Sequence, residues 1–215
     1  MMNTTLPQSN TVPACTALGS GVWLAFRHIA GTSAPAVPPS AAGAHLLSVE
    51  FCRRGRHALP AGDYCTIAAD GHAAVSMTAA GADDYYPGAV YEGLQFWIDP
   101  DPQTDSGFLA LMGLDVHGII NYFCASGPYY CPMGDDLAAL VDELWREFDV
   151  SGYASPGELR YAVVRLLYML LQLPYADQMA WYPRAQVDLV RDAETLMLAD
   201  LSVRHTAREL AVQFG

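Results

Sequence analysis

The groups able to do chemistry in this chain are few and widely spaced. Histidines stand at His28, His45, His57, His72, His117 and His205, and no two are separated by a single residue. Metal ligands on a strand must share a face at alternate positions, so this spacing does not build a centre. Glu50 and His57 fall near one turn but have no third group at ligand spacing. Cys15, Cys52, Cys65, Cys124 and Cys131 are odd in number and form no C-x-x-C pair, which reads as buried or idle thiols in a reducing compartment. The adjacent carboxylates Asp83-Asp84 and Asp135-Asp136 point in different directions on any regular element. They read as a turn and a helix start rather than as a general acid and base. No G-x-S-x-G elbow, Walker sequence or G-x-G-x-x-G is present. The expectation is no catalytic residue, no metal, no cofactor and no enzyme.

Aromatic side chains on strand-like segments are the better material for a ligand pocket. Trp23, Phe26, Tyr64, Tyr91 and Phe96 all lie on such segments, where inward positions either fill a core or enclose a small molecule. Glu50 is the polar candidate among them. A carboxylate between Val49 and Phe51 needs a partner such as Arg27, Arg53 or a cationic ligand, unless its alternation places it in water.

The elements that position these residues follow from periodicity. Residues 21–30 read as a first strand, residues 31–43 as a Pro/Ser/Ala loop that forms no ladder, and residues 45–52 as a second strand. Arg53-Arg54-Gly55-Arg56 reads as a solvated turn. Pro60, Gly62 and Asp63 make the next turn, each by its own backbone preference, and Tyr64 to Ala68 runs from it as a strand. Two more strands fall at 73–78 and 89–98. Beyond Asp99 helices take over, at 106–114, 117–124 and 137–148, the last with Asp135-Asp136 against its dipole. Ser155-Pro156-Gly157-Glu158 caps a further helix, 159–173, whose Ala162, Val163, Leu166, Leu167, Leu170 and Leu171 leave little polar surface. Such a helix must be covered on more than one side, and Val163, Leu167, Leu170 and Leu171 are candidates for pairing with a second copy.

The bulk numbers agree with a folded chain: 52% apolar and 16% charged residues over 215 positions suit one sizeable core plus a smaller unit. The formal charge of -12 argues that the chain as it stands does not bind DNA, because duplex binding needs a basic face. The longest apolar run is too short to span a membrane and the start lacks a basic leader, so the reading is a cytoplasmic protein with no membrane partner.

The tail supplies the organising motif. Val187, Val190, Ala193, Met197 and Leu201 give one sticky face of a long helix. After a polar turn, Thr206-Ala207-Arg208-Glu209 forms a capping box, followed by Leu210, Ala211 and Phe214, with Gly215 placed for a helix end. This order resembles the opening of the DNA-binding domain of AraC-type transcriptional regulators, matched by 186–201, Thr206, Glu209, Leu210, Ala211 and Gly215. The Pro-x-Gly-Asp turn resembles the mid-barrel turn of cupin β-barrels, and Tyr91-Glu92-Gly93 stands where a subset of the AraC-type family carries a Tyr-x-Gly motif.

The resemblance implies an α+β chain: a cupin-like antiparallel β-barrel followed by a helical dimerisation region and a partial helix-turn-helix. Residues 1–19 are expected as a loose arm, 20–100 as the effector-binding barrel, 101–180 as the helical dimerisation region and 181–215 as the start of the DNA reader. It further implies a homodimer, an unidentified small-molecule effector, and DNA contact only through the remainder of the reader that begins at Thr206, Arg208, Glu209 and Leu210. Two alternatives stand beside it: a metal-dependent cupin-type enzyme with a helical appendage, and a short natural partner that pairs with full-length regulators and inhibits them. Elemental analysis of the purified chain separates the enzyme from the other two. The expected outcome is no stoichiometric first-row metal, whereas one equivalent held by the barrel favours the enzyme.

Overall fold

The computed structural model describes residues 15–19, 21–35, 45–79, 83–101, 107–151, 155–173 and 180–214. The first 14 residues of the expected arm lie outside the described residues, as do residues 36–44 of the expected loop, residues 102–106, residues 174–179 and Gly215. The chain is α+β. Its strands are β1 (Cys15–Gly19), β2 (Val22–Ala30), β3 (Ser33–Pro35), β4 (His45–Ala61), β5 (Tyr64–Ala69), β6 (His72–Ala79), β7 (Asp83–Tyr85), β8 (Val90–Ile98), β9 (Tyr129–Pro132) and β10 (Tyr182–Pro183). The helices are α1 (Gly107–Leu111), α2 (Val116–Phe123), α3 (Gly134–Ser151), α4 (Pro156–Leu170), α5 (Arg184–Ala199) and α6 (Ala207–Phe214).

Every strand pairing is antiparallel, along the path β1-β2-β8-β4-β5-β10, with β6 and β7 also on β4, β9 on β6, and β3 on β7. Among the described residues the sheet does not close, so the expected barrel is present as an open sheet with β1 and β10 at its ends. β4 is the central strand. Its first part, from His45, pairs with β6 and β8, and its last part, Arg56 to Ala61, pairs with β5. The Arg53-Arg54-Gly55-Arg56 segment expected as a solvated turn therefore stays inside the strand. It marks a bend instead. Seven residues of straight strand span roughly 23 Å, yet the side chains of Glu50 and His57 meet at 2.6 Å. A one-residue bulge at Arg53, where the β8 register shifts between Cys52 and Arg54, and Gly55 at φ +96° make the bend.

Four other segments depart from the sequence expectation. Cys15 to Gly19, expected in the arm, forms β1, and Ser33 to Pro35, expected in a loop, forms β3. Asp83-Asp84, expected as a turn, opens β7, and β9 arises beyond Asp99 where no strand pattern was visible. Each is three to five residues long and owes its conformation to a partner strand rather than to its own composition.

Both faces of the central sheet are covered. Leu24, Phe26, Val49, Phe51, Leu94 and Phe96 pack against the helices, where Ile119, Val141, Trp145, Val163, Leu166 and Leu167 complete the main core. Arg53 ties α3 to β4: it donates to Asp142 at 2.7 Å and lies 4.6 Å from the Trp145 ring centre. The α4 start is as expected, with Ser155 and Glu158 in a complete capping box behind Pro156. Among the helix-pairing candidates, Val163, Leu167 and Leu170 are fully buried within their own chain. They are taken up by the intrachain core, so they do not face a second copy. Leu171 stays exposed beside Tyr168, with Tyr161 also outside.

The bend sets a testable constraint. A Cβ on Gly55 would overlap the Val90 carbonyl, and one on Gly93 would fall 2.7 Å from the Phe51 carbonyl oxygen. Gly55→Ala and Gly93→Ala are each expected to cost about 2–3 kcal/mol in urea unfolding. Gly62→Ala, at φ +60° with open space around it, should cost only about 1–2 kcal/mol.

Candidate functional site

The face of the sheet turned away from the helices carries the polar groups. Before the bulge, the even-numbered residues Leu46, Ser48, Glu50 and Cys52 point to this face, paired with Gln95 and Gly93 across β8. After it, the odd-numbered residues do so, because one extra residue reverses a period of two. Gly55 pairs with Tyr91, and His57 and Leu59 follow on the same side. Glu50 and His57 are an odd number of positions apart and would face opposite ways on a regular strand. The Arg53 bulge brings them together.

Their contact is the centre of a buried cluster. His57 Nδ1 donates to Glu50 Oε2 at 2.6 Å, and His57 Nε2 lies 3.4 Å from Asp84 Oδ1. That second contact is an ion-pair separation, not a formed hydrogen bond, since Nε2 has no hydrogen-bond partner. Burial works against a charged imidazole, but Glu50 and then Asp84 outweigh it and hold the His57 pKa up at about 10. His57 is thus an imidazolium between two carboxylates. Tyr86 stacks on it with ring centres 4.8 Å apart and donates to Asp84 at 3.3 Å, while Tyr91 meets it edge-on at 6.1 Å. Burial, then the neighbouring carboxylates, raise both phenols well above their ordinary value. Glu50 Oε1 and Tyr91 Oη are buried without hydrogen bonds. Further along the same face, Arg27 donates to Gln95 at 3.0 Å, and Gln95 donates to Ser48 at 2.9 Å.

The two nitrogens of His57 face different carboxylates, so no three ligands converge, and among the described residues no group of His, Cys, Asp and Glu could hold a metal ion. The five cysteines are free thiols, three of them buried. Burial raises the thiols of Cys15 and Cys124 to about 11, away from nucleophilic use. His57 and Asp84 also line a cavity of about 270 Å³ between the sheet and α5.

The pocket candidates separate by face. Glu50 and Tyr91 enter the cluster, and the partner of Glu50 is His57, not Arg27 or Arg53. Phe26 and Phe96 point to the helices and belong to the main core. Trp23 packs with Cys15 beside Ala25, Leu46 and Trp97. Tyr64 is more than half exposed, opposite Pro183. His57, Asp84, Tyr86, Arg27 and Gln95 were missed as site residues. The available signal was parity: Arg27 shares the face of Trp23 and Ile29 on β2, and Gln95 that of Tyr91 and Trp97 on β8, so each polar group stands among large apolar side chains on one face. In the tail, Thr206 and Glu209 form the expected box: the Thr206 N–H donates to Glu209 at 2.8 Å and the Glu209 N–H donates to Thr206 Oγ1 at 3.2 Å. Arg208 is exposed and Leu210 half-buried.

No family model matches the sequence, and no curated protein matches it. Among solved structures the chain is similar to the AraC-like transcriptional activator CuxR, with a TM-score of 0.48 and 13% identity over 94% of this chain and 68% of that one. It is also similar to ToxT from Vibrio cholerae, with a TM-score of 0.33 and 8% identity over 90% of this chain and 69% of that one. A third likeness is to ToxT from Vibrio cholerae O395 bound to (E)-4-(8-methylnaphthalen-1-yl)but-3-enoic acid, at a TM-score of 0.36 and 8% identity, covering 90% and 70%. The family resembled in sequence is thus the one met among the structural neighbours, at low identity and modest overlap. Among the described residues no helix is long and apolar enough to cross a membrane.

The charged cluster has a pH signature. The folded pKa of His57 lies above the ordinary 6.5, so its contribution to stability is complete below about pH 6.5 and is lost as pH rises through about 10. Urea unfolding of the wild type and His57→Gln at pH 6.5, 8 and 10 should show the largest gap, about 3–5 kcal/mol, at the lowest pH. The gap should shrink toward pH 10, and a gap that is constant or widens with pH would show that the imidazolium is not what holds the cluster.

Proposed function

We propose that this chain is the effector-sensing and dimerisation portion of an AraC-type transcription regulator, with 20–100 the sensing module, 101–180 the dimerisation region and 181–215 the opening of the DNA reader. The observation that carries this reading is the construction of the tail. α5 is bound to the sheet through β10, while α5 and α6 are joined by a polar turn, capped by the Thr206–Glu209 box, and bury no side chain of their own. Val190, Leu201, Val203 and Val212 remain exposed along them. That is the surface expected of a helix-turn-helix unit whose recognition helix packs from elsewhere. Effector binding falls to the enclosed polar face, and pairing of two copies to the exposed apolar side of α4 and α1, with Tyr161, Tyr168, Leu171, Leu111 and Met112. The chain itself carries too much negative charge to hold DNA.

Light scattering and gel shifts test this. The chain alone is expected to be a dimer that leaves DNA unshifted, and Tyr161→Asp with Tyr168→Asp should make it monomeric without unfolding it. Continued past Gly215 by a complete AraC-type reader, it should shift operator DNA as a dimer. A strict monomer whose extended form ignores DNA overturns the proposal.

A further inference from the structure

α5 crosses the sheet as a strap tied in two places. At its start, β10 pairs with β5, the Arg184 N–H donates to the Asp63 carbonyl at 2.8 Å, and Thr66 Oγ1 donates to the Ala180 carbonyl at 3.0 Å. Some 15 Å further along the helix, Glu194 accepts from the Tyr85 hydroxyl at 2.8 Å and from the Gly88 N–H at 2.7 Å. Between these ties lies the cavity of about 270 Å³. Arg184, Val187, Asp188 and Arg191 roof it, being spaced to share one helix face. His57, Asp84, Ser76, Thr78, Leu59 and Met77 are among the residues that form its floor.

The charges select the ligand. All eleven cationic side chains are arginines in a chain of net charge -12, and two of them face this one cavity. The acids beside them are already engaged. Asp84 is committed to His57 and Tyr86, and Asp188 lies 3.1 Å from Arg191 but only at 4.0 Å from Arg184. Asp192 also reaches Arg191, at 3.5 Å, so Arg191 is partly neutralised by two acids, while Arg184 has only the 4.0 Å contact. The five donors of each guanidinium still leave the roof, chiefly at Arg184, capacity for a further anion. On the floor, the buried Nε2 of His57 has Asp84 at 3.4 Å as an ion-pair neighbour but no formed hydrogen bond. The volume is at the small end of ligand pockets, typically about 300–1,000 Å³, which fits a single ring or short chain.

We infer that the cavity beneath α5 is a binding site for a small organic carboxylate, held by Arg184 and Arg191 with its body against Leu59 and Met77. Because α5 is the roof, and Tyr85 both lines the cavity and holds Glu194, occupancy is felt by the helix that leads to α6. This rests on the sensing role proposed above and names the ligand class and the moving part.

Calorimetric titration of the purified chain with phenylacetate, phenylacetamide and phenethylammonium at one ionic strength is the test. Phenylacetate should bind at least about tenfold tighter than the neutral amide, a difference of about 1.4 kcal/mol, and the cation should not bind. The Arg184→Gln/Arg191→Gln variant should lose that preference while unfolding at the wild-type urea midpoint, since both side chains are about half exposed. Hydrogen exchange should slow across α5 when phenylacetate is added to the wild type, and less so in Glu194→Gln. Equal binding of acid and amide, a preference that survives in the double variant, or no binding of any probe at millimolar concentration overturns the inference. A chain that dimerises and drives an attached reader yet ignores phenylacetate sinks this site alone. A monomer that binds phenylacetate through its arginines sinks the regulator reading alone.

Discussion

The imidazolium of His57, held between Glu50 and Asp84, is the interaction on which the enclosed face of this protein depends. Each carboxylate buried alone would cost several kcal/mol, and the cation between them removes most of that penalty by pairing with both. Among the described residues the buried charged side chains are Arg27, Glu50, His57 and Asp84, two basic and two acidic, so the set balances. Such a set works only if β2, both parts of β4, and β7 hold their positions. The Arg53 bulge and the contacts around Gly55 and Gly93 are what hold them.

Stability and specificity are divided between the two faces of the sheet. The helix-facing side is almost wholly apolar and carries the main core, with α3 and α4 laid over β2, β4 and β8. The opposite side is a mixture of charge, hydroxyl and aromatic ring, incompletely hydrogen-bonded at Glu50 Oε1 and Tyr91 Oη. A surface of that composition gives up packing energy relative to the apolar face. It also explains why β4 reads ambiguously: both alternating sets of its first part are buried, one in hydrocarbon and one in a polar interior.

The tail meets the sheet lightly. α5 touches the sheet through hydrogen bonds, an edge pairing and a few side chains over a cavity, rather than through a packed apolar seam. Contacts of this kind are individually worth about 1 kcal/mol, so the strap sits at the low end of the local stability range. A helix held loosely over a cavity is suited to report what fills it.

What the sequence determined by itself was local. Strands near 22–30, 64–69, 72–79 and 90–98 follow from alternation and turn residues, and the helix starts at Ser155 and Thr206 follow from boxes that close within four residues. The family resemblance was legible for the same reason, since the Thr206–Glu209 motif is contiguous. Tertiary structure alone decided which side of each strand mattered. Phe26 and Phe96 have the composition of pocket residues but face the helices, while Glu50 faces inward to a histidine seven positions on. That pairing needs an odd separation, a single inserted residue and a sharp bend, and none of these leaves a mark on a period of two. Asp84 and Arg191 reach the site from β7 and α5, elements placed by partners far along the chain. Local rules set an element's type, whereas the neighbours of its side chains are set by where distant strands lie.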